Sequence, residues 1–171
     1  MNFNKRIIGI MAATDQGVIG YNNTLPWSFP DELEHFRKVT MKHIMVMGRK
    51  TYETTPKTLM LNQQSIVLSH DSSLFLEDAK VITSLDKCLR YIDELNTQCN
   101  IFMIGGAQIA HLFLANNLIS SFVFTQIHKP HLGDTYLNLG YFKLWSKSIL
   151  KDCNDYTIYQ LTNPKETLWH F

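Results

Sequence analysis

Ile101-Phe102-Met103-Ile104-Gly105-Gly106-Ala107-Gln108 sets an apolar run directly against two glycines, and Ala107 to Leu114 then reads as a helix. A short apolar run closed by glycine suits a strand buried on both faces. The same order of strand, glycine and helix recurs in Ile44-Met45-Val46-Met47-Gly48-Arg49-Lys50-Thr51, with a helix over Arg49 to Thr54. Working outward, strands are predicted at Ile7 to Ala13, Ser65 to Ser69, Lys80 to Thr83 and Ser121 to Ile127, and helices at Asp31 to Thr40 and Leu85 to Leu95. Strands separated by helices call for an α/β fold with a largely parallel sheet covered on both faces. Tyr156 to Leu161 and Thr167 to Phe171 are candidate strands of a closing antiparallel hairpin.

Composition narrows the class. With 171 residues and 45% apolar content, the chain can bury a core without disulfides, and no repeat or linker marks a boundary, so one domain over residues 1–171 is expected. Sixteen basic residues against 15 acidic ones leave no basic stripe for nucleic acid. Cys88, Cys99 and Cys153 form no CxxC pair and are odd in number, which favours a reducing cytoplasm. The residues Met1 to Arg6 run into a strand of about seven residues, too short for a signal-peptide core or a membrane span.

Leu25-Pro26-Trp27-Ser28-Phe29-Pro30-Asp31-Glu32-Leu33-Glu34-His35-Phe36-Arg37 leads from two prolines and a tryptophan into an amphipathic helix. Pro30 suits the first turn, where its missing N–H has no intrahelical partner, and the acids after it complement the helix dipole. Phe29, Leu33, Phe36 and Val39 repeat at helical spacing, which places Glu32 at the lip of the apolar face and leaves Asp31 and Glu34 to solvent. Glu32 is therefore either a carboxylate poised for proton chemistry or simply a first-turn helix acid. The two glycine turns carry a parallel choice. Free backbone N–H groups, Arg49, Lys50 and Thr51 converge after Gly48, and Gly105-Gly106 lets a pyrophosphate approach the backbone. The alternative is an ordinary strand-to-helix turn with solvated bases.

In their order and spacing, Arg6 to Ala13, Asp15 to Gly20, the Pro26-Trp27 helix, Val46 to Thr51 and Ile101 to Ala107 resemble dihydrofolate reductase of the bacterial kind, from about Ile7 to Thr135. The resemblance implies a single dihydrofolate reductase-like domain: a mostly parallel mixed sheet of about eight strands, flanked by helices and closed by a C-terminal antiparallel hairpin. That hairpin can be laid on either Tyr156 to Leu161 or the last six residues. The implied reaction is NADPH-dependent reduction of 7,8-dihydrofolate to tetrahydrofolate, with hydride delivered to pterin C6 and a proton to N5. Glu32 would anchor the pterin and assist protonation through water, Thr125 would steady the carboxylate, and Trp27 would hold the water. Burial should raise the Glu32 pKa. The Leu33 to Phe36 frame decides for Glu32 over Asp31. Ile10, Met11, Ala12, Leu33, Phe36 and Ile104 would wall the pterin and its aryl ring, with the carbonyls of Ile10 and Ile104 at the pterin edge.

For the cofactor, Arg49 with Ser69 and His70 falls where the family holds the adenosine 2′-phosphate, and Lys50 and Thr51 fall where it holds pyrophosphate. This implies NADPH over NADH. Ala12, Ile19, Gly20, Gly48, Leu68, Ile104, Gly105, Gly106, Ala107, Gln108, Ile109 and Thr135 complete the implied cofactor contacts. Gly105-Gly106 should be joined by a cis peptide, Thr14 to Trp27 should form a lid over the nicotinamide, and Gly133-Asp134-Thr135 should support that lid. No metal site is expected. Dihydrofolate and antifolate inhibitors are the implied small-molecule ligands of a monomer with no nucleic-acid or membrane partner.

The pattern departs from the family in places. Gln63 stands where an arginine normally clamps the glutamate tail of folate, leaving Arg37 or Lys57 as substitutes. Ala110 replaces a usual tyrosine at the nicotinamide, Met11 a small residue, Asn138 a proline, and Gln108 an arginine of some relatives. A reductase of another pterin or of a riboflavin-pathway pyrimidine, or a catalytically weak NADPH-binding protein, remain the alternative readings.

Overall fold

Val, Ile, Phe and Met runs alternate between two helix-covered faces of a central sheet. The computed structural model describes residues 5–165. In chain order the elements are β1 (Ile7–Thr14), β2 (Val18–Gly20), α1 (Pro30–Thr40), β3 (Ile44–Gly48), α2 (Arg49–Thr54), β4 (Gln64–Leu68), β5 (Ala79–Ile82), α3 (Leu85–Glu94), β6 (Ile101–Gly105), α4 (Ala107–Ala115), β7 (Ile119–Ile127), β8 (Thr135–Tyr136), β9 (Ser146–Asp152) and β10 (Tyr156–Thr162). Eight strands form one sheet in the order β5-β4-β3-β6-β1-β7-β10-β9, and β2 pairs with β8 apart from it. The strands from β5 to β7 run parallel, while β10 lies antiparallel to both β7 and β9. This is the expected single α/β domain with its mixed sheet.

The hairpin uses Tyr156–Thr162, but its partner is Ser146–Asp152. β9 gives no strand signal in the sequence because all seven of its residues are exposed and present no apolar face. The candidate strand Thr167 to Phe171 lies outside the described residues. β2 and β8, three and two residues long, are too short to carry a pattern.

Strand alternation divides the core. Ile7, Ala13, Val46, Met103, Phe113 and Phe122 pack on the face covered by α3 and α4. Ile10, Trp27, Met45, Met47, Phe102, Ile104 and Val123 pack on the α1 face, with Phe29, Phe36 and Val39 against them. No helix among the described residues is long and apolar enough to cross a membrane.

Strand order fixes where a cleft can open. The chain crosses from β1 through α1 to β3, builds outward to β5, then returns through α3 to place β6 between β3 and β1. From β6, α4 leads to β7 on the far side of β1, so the connections part on opposite sides of the β1–β6 seam. The β1–β6 ladder runs from Ile7↔Ile101 to Gly9↔Met103 and ends there, whereas β1 stays paired to β7 as far as Thr14↔Ile127. Ile10 to Ala12 and Ile104 to Gly105 thus flank an opening at the carboxyl ends of the strands, the place where open α/β sheets bind ligands.

The base of this seam depends on Gly9, paired to Phe122, because any Cβ there would overlap the buried Phe122 ring. Gly9→Ala should therefore destabilise the protein by about 1–3 kcal/mol through overpacking, measured as a lower denaturant midpoint with unchanged slope.

Candidate active site

α1 begins at Pro30 with Phe29 as its N-cap residue, and Asp31 and Glu32 occupy its first turn. The helix turns Asp31 outward and Glu32 inward, where only 8% of Glu32 remains exposed. Thr125 Oγ1, on a residue 2% exposed, donates a 3.0 Å hydrogen bond to Glu32 Oε1. Burial pushes the Glu32 carboxyl above the ordinary glutamate range, and the bond from Thr125 offsets part of that rise. Thr125 pairs with Ala12 on β1. The carboxylate therefore stands beside the seam, on the face that also carries Ile10, Ile104 and Phe36.

Trp27 is 8% exposed, and its Nε1 is buried without a protein partner. Its ring meets His131 edge-on, with centroids 5.5 Å apart, and His131 Nε2 is likewise buried without a protein partner. The sequence carries no signal for His131, which lies in an irregular segment far along the chain. Leu33 is half-buried on α1. Met11 belongs elsewhere: its side chain packs against the α4 face and Gly105, whereas its neighbours Ile10 and Ala12 face α1. Strand alternation is the reason, since successive side chains of β1 point to opposite faces of the sheet.

The two glycine turns interlock. A Cβ on Gly106 would stand 3.3 Å from Thr51 Oγ1, and one on Gly48 would stand 3.1 Å from Ile109 Cγ1. Gly105 has φ +108, and the Gly105–Gly106 peptide is cis. Side chains at either turn would fill this cradle, so the residues present fit a bound pyrophosphate. Ala107 and Gln108 open α4 beside it. α2 spans only six residues, and Arg49, Lys50 and Thr51 open it, so their side chains and backbone N–H groups could hold an anion. Arg49 and Lys50 are exposed. Asp71, three residues past the end of β4, is held below the usual carboxylate range mainly by bonds from Ser73, with a smaller electrostatic contribution from Arg49. The Asp71 carboxylate itself turns back to accept from Ser73 N at 2.9 Å and Ser73 Oγ at 2.6 Å.

The segment between β1 and α1 is pinned at one point. Val18 and Gly20 pair with Tyr136 and Thr135, and Asn22 N donates to Asp134 Oδ2 at 2.9 Å. Thr135 Oγ1 donates to Asp134 Oδ1 at 2.8 Å, and these bonds hold the Asp134 carboxyl below its usual range. Gly133 permits the approach, since a Cβ there would overlap Val18. Ile19, Gly20 and Thr135 thus sit together on the lid and its support.

The tail end of the cleft differs in chemistry. Gln63 Nε2 donates to Thr40 Oγ1 at 3.0 Å, and Thr40 Oγ1 donates to the Phe36 carbonyl at 2.9 Å. Gln63 Oε1 is left buried without a protein partner, an acceptor rather than a cation. Arg37 forks onto Glu34, with Nε and Nη2 at 2.8 and 2.7 Å from its two oxygens. Lys57 bonds Asp78 at 3.1 Å and the Tyr52 hydroxyl at 2.7 Å. Each base is already paired with an acid, so a ligand carboxylate would meet a partly neutralised charge at either one. Ala110, 0% exposed, packs on the sheet face shared with Met11.

Comparison with known proteins agrees with this arrangement. The family model described as Dihydrofolate reductase matches residues 6–162. Dihydrofolate reductase of Lactococcus lactis is 35% identical over 147 residues, covering 82% of this chain and 85% of that protein. The Staphylococcus aureus dihydrofolate reductase is 32% identical over 139 residues, covering 81% and 82%. Among solved structures, dihydrofolate reductase from Enterococcus faecalis complexed with NADP(H) and RAB-propyl superposes with a TM-score of 0.75 at 25% identity, covering 95% of this chain and 97% of that one. With its sheet order, its paired glycine turns and this extent of similarity, the chain belongs to the dihydrofolate reductase family.

Proposed function

We propose that the protein uses NADPH to reduce 7,8-dihydrofolate to 5,6,7,8-tetrahydrofolate. The observation that carries this reading is the buried Glu32 carboxylate, bonded to Thr125 beside the β1–β6 seam. Reducing the C=N bond of a dihydropterin requires hydride at carbon and a proton at nitrogen. NADPH, when bound, supplies the hydride; the chain supplies the rest. Glu32 accepts from the pterin amino and ring N–H groups, fixing the ring against Ile10, Ala12, Leu33, Phe36 and Ile104. Burial raises its pKa, so Glu32 holds a proton to higher pH than an exposed glutamate does. Trp27 Nε1, a buried donor, suits a water that relays this proton to pterin N5. The carbonyls of Ile10 and Ile104, beside the opening of the seam, would accept at the pterin edge.

Gly48 to Thr51 and Gly105 to Ile109 would take the pyrophosphate between them, and Arg49 with Ser69 and His70 the 2′-phosphate. Ile19, Gly20 and Thr135 would close over the nicotinamide and exclude water. We place the protein in the cytoplasm as a monomer, the compartment being supported by its three free cysteines.

The deciding experiment is loss of NADPH absorbance with dihydrofolate, run beside dihydropteroate, which lacks the glutamate tail. Turnover of dihydrofolate upholds the reading, and none despite NADPH binding overturns it. Gln63→Arg should favour the tailed substrate by roughly tenfold or more in relative kcat/KM, as a charge-assisted contact to its carboxylate is restored.

Glu32→Gln should lower turnover by roughly 10²- to 10⁴-fold, and wild-type activity should fall as pH rises through the raised Glu32 pKa. The same shift sets a stability effect. A folded pKa above the ordinary 4.5 gives a contribution that is full below 4.5 and lost as pH rises through the folded value, so Glu32→Gln should resist denaturant better than wild type at pH 8. Arg49→Ala should raise KM for NADPH about 10- to 100-fold and leave KM for NADH nearly unchanged, measured by steady-state kinetics with each cofactor.

A further inference from the structure

Met11 stands where the seam between β1 and β6 opens. The register Gly9↔Met103, continued by two residues, sets Met11 opposite Gly105. The side chains agree: a Cβ on Gly105 would stand 3.0 Å from Met11 Cε and 3.5 Å from Met11 Sδ. Met11 is half-buried beside this turn. Its side chain lies on the α4 side of the sheet, while Ile10 and Ala12 lie on the Glu32 side. Ala110, whose N–H bonds the Gly106 carbonyl at 2.9 Å, ends at its Cβ and leaves the first turn of α4 narrow there.

Met11 also stands between the two halves of the chemistry. The glycine turns that suit the phosphates lie against α2 and α4, and the carboxylate lies on the α1 face. The gap that opens beyond Gly9 and Met103 lies between these two regions, and Met11 flanks it against Gly105. We propose that Met11 is a nicotinamide-positioning residue, its thioether packing on the ring at the α4 side of the gap and holding the reacting carbon toward the α1 side. An unbranched, polarisable side chain fits this task, because it can follow the ring and makes favourable sulfur–aromatic contacts. The inference rests on the NADPH reading above.

The test is equilibrium binding, not turnover. NADPH and adenosine 2′,5′-bisphosphate, which carries the 2′-phosphate but no nicotinamide, are titrated by calorimetry against wild type, Met11→Ala and Met11→Gln. Both variants should bind NADPH roughly three- to tenfold more weakly and the bisphosphate as wild type does. Unchanged bisphosphate binding also reports an intact fold; should Met11→Ala not fold, Met11→Gln, which keeps the side-chain length, decides the matter alone. Equal weakening for both ligands would assign Met11 to support of the Gly105 turn, and unweakened NADPH binding would remove it from the site; either overturns the proposal. Failure of the wild type to bind NADPH would overturn the cofactor reading together with the proposal, a result separate from any effect of the variants.

Discussion

A carboxylate costs free energy to remove from water, and the arrangement of this site follows from how Glu32 meets that cost. It keeps one hydrogen bond, from Thr125, a residue 93 positions away in sequence. That bond requires α1 to lie across β7 and β1 in one orientation, which Phe29, Phe36 and Val39 secure by packing on the α1 face. The compensation is incomplete, and the raised pKa expresses the shortfall. Stability is thus given up locally at Glu32, supported by a core packed on both sides of the sheet.

The cofactor region rests on a different constraint, close approach. Four glycines are needed for contact: Gly9 against Phe122, Gly48 against Ile109, Gly105 against Met11 and Gly106 against Thr51. Three of them bring strand ends and helix starts near enough to form a cradle of backbone N–H groups. Gly9 keeps β1 and β7 tight just before β1 leaves β6. Hydride chemistry needs the two substrates on opposite sides of a narrow gap, and a sheet that is paired at its base and parted at its rim provides one.

Much of this is legible in the sequence because the parallel strands are uniformly apolar and end in glycine. β3 and α2 have the predicted bounds, β1 and β6 run one residue further at the carboxyl end, and β4 and β5 are each displaced by one residue toward the amino terminus. Where burial is weak, the signal fails: β9 has no buried residue, carries a register shift against β10 and offers no apolar pattern to read. Glu32 is marked by its place on α1, but its bond to Thr125 joins distant segments and enters only through resemblance. For Met11 the resemblance supplies a neighbourhood, whereas strand alternation supplies the direction of its side chain. His131 and the Gln63–Thr40 pair are invisible as contacts, since no local pattern encodes which loop residue meets Trp27 or which hydroxyl meets Gln63.

The Asp134 latch has a bearing on the conditions under which the site can work. Folding lowers the Asp134 pKa, so its contribution is intact above the ordinary carboxylate value and is lost as pH falls through the folded one. Glu32 is shifted the opposite way. Acid therefore weakens the bonds by which Asp134 holds Asn22 and Thr135, while alkali ionises the buried Glu32, so the two carboxyl groups make the structure sensitive to pH at opposite ends of the scale.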